Sequence, residues 1–310
     1  VNITPAVIDA IFYSFSTQFQ GAYARIDPWW TKVASDVPSA GRENRYAWLR
    51  LLPRMREWIG ERKYANLEAA GYALANKDYE LSVEVDRNDI QDDNIGVYAP
   101  FVQMMGEQAK RWPDDLVLSL LQNGSTNLAF DGQAFFSASH PTGQPGSAST
   151  YSNYSASAMA LSAANYQTVR QTMMSYVGED GRPLQVQPSL LVVPPQLEAA
   201  ARQILNADFI APAAAVGQNA ASVQQTNVLK GSAELLVVPD LTAAATTWYL
   251  LDTTKPIKPF VFQTRKAPTF VPMADPTSEN VFKRRKFIFG VDARGNAGYA
   301  LPFLAYSATA

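Results

Sequence analysis

The sequence predicts an α+β fold, and three observations predict it. Tyr98, Phe101, Val102, Met105, Ala109, Trp112, Leu116 and Leu120 recur at steps of three and four, which makes Ile95 to Asn123 a long amphipathic helix. Just before it, Tyr79 to Asp86 alternates Leu81, Val83 and Val85 with Glu80, Ser82, Glu84 and Asp86, the pattern of a strand with one dry and one wet face. Further on, Leu-Leu-Val-Val-Pro occurs at 190–194 and again at 235–239, each a short continuous apolar strand.

The chain opens with Thr4-Pro5, a cap followed by proline in the first turn. Val7, Ile8, Ile11, Phe12, Phe15 and Phe19 then form one helix face, which Gly21 is expected to end. Ala22 to Gly41, with Pro28, Trp29, Trp30 and Pro38, lacks periodicity and reads as an irregular arm whose tryptophans anchor it by packing. Tyr46 to Leu52 suits a strand. Arg54 to Lys63 is arginine-rich around Trp58 and Gly60, and the chain then returns through Gly71 to the alternating strand, giving an extended hairpin.

For the long helix, Asp92, Asp93 and Asn94 offer capping chemistry, Pro100 suits the first turn, and Asn123-Gly124 is a stop; Pro113 is expected to kink or interrupt it. A turn at Asp131-Gly132 and the restrained Ser139-His140-Pro141 follow, then a Ser- and Gly-rich surface excursion to Ser157. Ser162 caps a helix with Tyr166, Val169, Met173 and Val177 inside. The first Leu-Leu-Val-Val-Pro leads into a helix over Pro195 to Leu205. With the second copy and the apolar run Trp248 to Leu251 it makes a mixed unit from about Gln187 to Phe262. Val281 to Phe289 and Tyr299 to Tyr306 read as two more strands, joined by a turn through Asp292 to Gly298.

At 310 residues, with 47% hydrophobic and 11% aromatic content, the chain can bury substantial cores. It has no cysteine, so disulfides, thiolate nucleophiles and cysteine metal sites are excluded. Apolar runs fall far short of the roughly 20 residues a membrane span needs, and no signal-peptide pattern opens the chain, so neither anchoring nor export is expected. A net charge of −2 excludes a globally basic nucleic-acid binder.

Catalytic chemistry has little to stand on. His140 is the only histidine and no serine sits in a Gly-x-Ser-x-Gly elbow. One histidine cannot build a zinc site, and Asp89, Asp92 and Asp93 lack EF-hand spacing. Phosphate-loop and dinucleotide fingerprints do not occur. The sequence asks for no cofactor, no metal and no catalytic residue.

Charge is more informative. Arg42 to Lys63 holds seven basic residues against three acidic, whereas Asp78 to Asp93 holds seven acidic against one basic. These segments are either two solvated faces of one hairpin or partners across neighbouring copies. In the second reading Arg54, Arg56 and Arg62 meet Glu80, Glu84 and Asp86 of another molecule, with Trp58 and Gly60 docking beside them. Lys283-Arg284-Arg285-Lys286, next to Phe287-Ile288-Phe289 on an expected strand, is either DNA-facing or an interface or solvated edge.

Several stretches together resemble a family, the major head subunits of Mu-like tailed phages. They are Tyr46-Ala47-Trp48-Leu49, Glu57-Trp58-Ile59-Gly60, Ala75-Asn76-Lys77, Asp92-Asp93-Asn94-Ile95-Gly96-Val97-Tyr98-Ala99-Pro100, Asp131-Gly132-Gln133 with Phe135-Phe136, and His140-Pro141. The second half is looser, its strands and Phe289-Gly290-Val291-Asp292-Ala293-Arg294 being similar to tailed-phage capsid proteins in general.

The resemblance implies an HK-97-type fold: N-terminal arm (1–41), extended hairpin or E-loop (42–86), peripheral domain with a spine helix (87–186), axial domain (187–262) and strands returning to the peripheral domain (263–310). It implies a structural protein with no turnover, whose copies form hexamers and pentamers of an icosahedral head around double-stranded DNA, held without sequence preference. Implied partners are a portal, a separate scaffold or protease and a decoration protein, with no membrane; the implied location is the virion capsid, assembled in the bacterial cytoplasm. An encapsulin-like nanocompartment shell is the alternative sharing the fold, and a soluble carboxylate-dependent hydrolase the alternative of another class.

Overall fold

Thr4 starts the first helix: its hydroxyl accepts from the Val7 amide and Pro5 fills the first turn. Helix α1, Pro5–Arg25, buries Ile8, Ile11, Phe15, Phe19 and Ala22. Gly21 does not end it, because the apolar face on either side outweighs the roughly 1 kcal/mol that glycine costs within a helix. The expected irregular arm is also more ordered than its composition suggests, containing α2 (Trp30–Val33) and β1 (Ala34–Pro38). The computed structural model describes residues 3–48, 70–92, 94–142, 150–155, 159–178, 181–210, 225–273 and 279–310.

Strands β2 (Glu43–Trp48) and β3 (Ala70–Ala75) form an antiparallel ribbon with Tyr46 opposite Tyr72. Arg54, Arg56, Trp58, Gly60 and Arg62 of the expected hairpin lie outside the described residues. Next comes β4 (Lys77–Asp86). The acidic turn expected after it is a short helix, α3 (Arg87–Gln91), because the Asp86 carboxylate accepts from the Asn88 amide at 2.8 Å and caps it. A 3₁₀ turn over Ile95–Tyr98 then feeds α4, Ala99–Gln122, the long helix.

Helix α4 has no side-chain cap at its start, so the expected role of Asp92 and Asn94 there is not found. Pro100 lies in the first turn and Asn123 is the C-cap, as read from the sequence. Pro113 does not interrupt the helix; it is buried with Val117 and Leu121, and that packing offsets the lost amide. The buried stripe is Val102, Met105, Gly106, Ala109, Pro113, Asp114, Val117 and Leu121, rotated from the expected face, and Phe101 is 54% exposed.

Beyond it lie the short strands β5 (His140–Pro141), β6 (Thr150–Tyr151) and β7 (Tyr154–Ser155), with β5 pairing β6. Helix α5, Ala163–Met174, is capped by Ser162 as expected and buries Tyr166, Val169 and Met173, but Val177 lies past its end and bridges to Pro183. The chain continues through β8 (Leu190–Val193), α6 (Glu198–Asn206), β9 (Phe209–Ile210), β10 (Gln225–Thr226), β11 (Glu234–Val237) and β12 (Thr247–Leu251). The last elements are β13 (Phe260–Met273), α7 (Glu279–Arg284), β14 (Lys286–Tyr299) and β15 (Ala305–Thr309).

Two sheets organise these elements. A five-stranded sheet runs β11-β8-β12-β15-β7, and in it the two echoed apolar strands lie side by side, parallel, with Leu235 opposite Leu191. A four-stranded sheet runs β1-β13-β14-β4. The C-terminal region departs from expectation. Asp292 to Gly298 is no turn, since β14 runs straight through it, and the final strand pairs with β12 instead of returning beside β14. Helices α1 and α4 pack on one face of the four-stranded sheet, with Phe15, Phe19, Val102, Phe270, Phe287 and Phe289 in one cluster.

Candidate subunit interface

Strand β4 keeps the expected alternation at Val83 and Val85, but Leu81, expected on the dry face, is 39% exposed. Val85 is fully buried towards α4, and the even positions Asp78, Glu80, Ser82, Glu84 and Asp86 carry the opposite face. Antiparallel pairing with β14 sets Asp86 across from Lys286, Glu84 across from Ile288, Glu80 across from Asp292 and Asp78 across from Arg294. Three of these acids gain a cation of the same chain: Asp86–Lys286 at 3.1 Å, Glu84–Arg284 at 3.7 Å and Asp78–Arg294 at 3.3 Å. The Asn88 amide, and then Lys286, hold the Asp86 carboxyl below its ordinary range. Glu80 differs: it accepts from the Ser82 hydroxyl at 2.8 Å and faces Asp292, a like charge that is itself engaged by Lys266.

The basic run does not lie on one strand. Lys283 and Arg284 form the last turn of α7, Arg285 has a positive φ of 56° and ends that helix, and only Lys286 belongs to β14. The Arg285 amide donates to Val281 O at 3.0 Å and its carbonyl accepts from the Arg87 amide at 2.9 Å, which joins α7 to α3. Sequence periodicity ran the strand too far because a left-handed residue that is not glycine gives no warning. The structure therefore brings together Glu84, Asp86, Arg284 and Lys286, two sets that the sequence treated as unrelated.

His140 is completely buried. Its Nδ1 lies 2.6 Å from Asp131 Oδ2 and its Nε2 3.2 Å from the Phe135 carbonyl, while Tyr151 stacks on the ring at 5.1 Å. Gly132, with φ of 80°, lets the intervening chain fold back tightly. Among the described residues no nucleophile shares these contacts, and the histidine ties a turn together, as its His-Pro setting suggested. Trp30 likewise packs on Phe262, 4.8 Å between rings, in keeping with an anchoring role. Among the described residues no cluster of three or more His, Asp or Glu fits a metal ion, and no helix is long and apolar enough to cross a membrane.

Comparison with known proteins fits this arrangement of sheets and long helix. The family model described as Mu-like prophage major head subunit gpT matches residues 8–160, 154–241 and 240–310. The chain belongs to this family. It is 29% identical to the Mu-like prophage FluMu major head subunit of Haemophilus influenzae over 306 residues, 99% of this chain and 74% of that one. It is 30% identical to the major capsid protein of Escherichia phage Mu over 297 residues, 96% and 72% of the two chains. Among solved structures, a subunit of the bacteriophage JBD30 procapsid aligns with a TM-score of 0.60 at 32% identity, covering 99% of this chain and 76% of that one. A virus-like particle of Pyrococcus furiosus aligns at 0.53 with 8% identity, which is a likeness of fold alone. The family is one of structural head subunits, not enzymes, and the fold is the HK-97-type capsid fold; this member is a major capsid protein of the Mu-like virion.

Two groups with a structural part to play escaped sequence reading. Gln263 sits in the apolar run Phe260-Val261-Phe262, and its polarity was the only hint. Asp114 lies on the buried face of α4, where nothing in its sequence neighbourhood marks it as buried.

Proposed function

We propose that many copies of this chain assemble as hexamers and pentamers into an icosahedral head that encloses double-stranded DNA. The observation that carries this reading is the likeness, over nearly the whole chain, to the JBD30 procapsid subunit. In it, 1–41 serve as the N-terminal arm, 42–86 as the extended hairpin, 87–186 as the peripheral domain around α4, and 187–262 as the axial domain. Strands β15 and β7 supplement that last domain through the five-stranded sheet, and β13 and β14 complete the peripheral one. The basic hairpin, with Arg54, Arg56, Trp58, Gly60 and Arg62, reaches the acidic face of β4 on a neighbour, Glu80 above all.

DNA contact is nonspecific in this reading, because the chain's net charge is close to zero and any attraction to phosphate is local. A decoration partner is supported by the JBD30 capsid described as decorated with minor capsid protein trimers, whose subunit aligns at 28% identity. Negative-stain microscopy of the purified protein, with nuclease protection of the contents of particles from infected cells, tests the proposal. Closed shells with protected DNA are expected. Shells loaded with protein instead of DNA overturn it in favour of a nanocompartment, and a monodisperse monomer under all assembly conditions overturns both.

A further inference from the structure

We propose that Gln263 is the positioning residue that fixes the direction in which the β2–β3 ribbon leaves the body of the subunit. The ribbon is a separate two-stranded sheet, and among the described residues no backbone ladder joins it to either larger sheet. Its attachment therefore rests on side chains. Gln263, fully buried in β13, is at the centre of that attachment.

Among the described residues, the three bonds of the Gln263 amide all go to the ribbon or the residue that follows it. Its Oε1 accepts from the Tyr46 hydroxyl of β2 at 2.9 Å. Its Nε2 donates to the Leu74 carbonyl of β3 at 3.2 Å and to Asn76 Oδ1 at 2.6 Å. One side chain thus holds both ribbon strands and their exit. Its own backbone is fixed between Val37 of β1 and Asn296 of β14, so the hub stands on the rigid sheet.

The surroundings extend the same joint. Asn76 Nδ2 donates to Ser39 Oγ at 2.9 Å and Gly41 O at 2.8 Å, and Asn296 Nδ2 donates to Ala75 O at 2.8 Å. The Tyr72 hydroxyl accepts from the Tyr299 amide at 3.1 Å. Two glycines of β14 keep the parts close. A Cβ on Gly295 would stand 2.5 Å from the Gln263 carbonyl oxygen, and one on Gly298 would stand 3.0 Å from the Tyr72 hydroxyl. Leu74 and Tyr72 add apolar packing, but apolar contact is nondirectional, whereas an amide bonded at both ends sets an angle. Breaking the hub leaves buried polar groups unpaired, so the ribbon is released rather than merely weakened.

The functional weight of this joint rests on the reading of the hairpin as a contact between subunits; the joint itself does not. Site-resolved hydrogen exchange on the unassembled subunit tests it, with Gln263→Leu as the first variant. Exchange of the amides in 43–48 and 70–76 is expected to rise about tenfold or more, with protection in β14 unchanged. Tyr46→Phe and Asn76→Ala, which leave β13 intact, are expected to give smaller rises even if Gln263→Leu does not fold. Adding Tyr46→Phe to Gln263→Leu is expected to add little, because both remove the same bond. Unchanged ribbon protection in all variants overturns the proposal, as does an equal loss across ribbon and β14. Particle assembly is scored separately: normal shells from a loosened ribbon count against the hairpin's role between subunits and leave the joint standing.

Discussion

Asp114, on the buried face of α4, accepts a hydrogen bond at 2.8 Å from the backbone amide of Trp30, 84 residues earlier in the chain. The bond docks α2 and its tryptophan on the long helix, where Trp30 packs against Phe262. The docking is made with a carboxyl that burial pushes up to about 6, against the opposing pull of the Trp30 amide; Asp115 and Asp240 add to the rise and Arg111 moderates it.

That arrangement has a definite pH consequence. Between the ordinary carboxyl value of 3.8 and about 6, folded Asp114 holds its proton while the unfolded chain has released it. Stability from this group is therefore present at low pH, declines as pH rises through that window, and stays at its lower level above it. Asp115, also raised by burial, contributes in the same direction. Asp114→Asn keeps an acceptor for Trp30 and removes the titration. Its thermal midpoint is expected to exceed the parent's by about 2 °C at pH 7 and to match it near pH 4, allowing for solvent screening. Thermal melts across pH 4 to 8 check this, and a gain that does not vary with pH rules it out.

Two glycines in packed helices are expected to respond with opposite sign. A Cβ on Gly106 of α4 would stand 2.5 Å from the Phe19 carbonyl oxygen and 3.1 Å from Ala22 Cβ, so the backbones of α1 and α4 touch there. Gly106→Ala gains about 1 kcal/mol of helix propensity but overpacks a rigid contact, for a net loss of about 1 to 3 kcal/mol. Gly21, inside α1, has nothing within 4 Å of its Cβ position, and Gly21→Ala is expected to stabilise by about 0.5 to 1 kcal/mol. Urea unfolding of both variants decides, and equal effects would refute the close approach.

The same glycines explain what could and could not be read beforehand. The fold class, the strand before the long helix, the Ser162 cap and the echoed strands were legible because each rests on local periodicity or capping. Gly21 and the Gly295-Asn296-Ala297-Gly298 run looked like punctuation, yet the first sits on an open helix face and the other two glycines let β13 and β3 approach β14 closely. Glycine alone does not say whether a chain turns or is approached. The long helix was found but its face was rotated, because Phe101 and Met104 are apolar and exposed while Gly106 and Asp114 are buried. Of the candidate interface, the acids were named correctly as one face of a strand. Their cations were not, because Lys286 reaches Asp86 through antiparallel pairing with a strand far along the chain, and Arg284 reaches Glu84 from the end of α7 just before that strand.

His140 offers a test of a structural role without catalysis. His140→Ala removes the ring contact to Asp131 and the packing against Tyr151 in a closed site, while the Phe135 carbonyl keeps the Asn153 amide as donor, a loss of about 1 to 3 kcal/mol. His140→Gln, with one amide donor group, is expected to lose less and to assemble normally. Chemical denaturation and particle counts measure the two effects. A folded His140→Gln subunit that never assembles would mean that this residue acts in the contact between subunits.

The hairpin charges give the most direct test of assembly. Reversing Arg54, Arg56 and Arg62 to Glu is expected to abolish particles while leaving a folded subunit, with the defect strongest at low salt. Single reversals should do little, since an exposed pair contributes about 0 to 1 kcal/mol. The choice of complementing change follows from the ladder. Lysine in place of Glu84 or Asp86 also meets Arg284 or Lys286 of its own chain, so those changes add repulsion within the subunit. Lysine in place of Glu80 instead faces Asp292, relieves a like-charge pair, and leaves the subunit at least as stable. Subunits carrying Glu80→Lys, mixed with the triple arginine reversal, are therefore expected to recover mixed particles better than subunits carrying Glu84→Lys and Asp86→Lys. Recovery only when all changes share one chain would place the pairing within the subunit and dispose of the intermolecular contact.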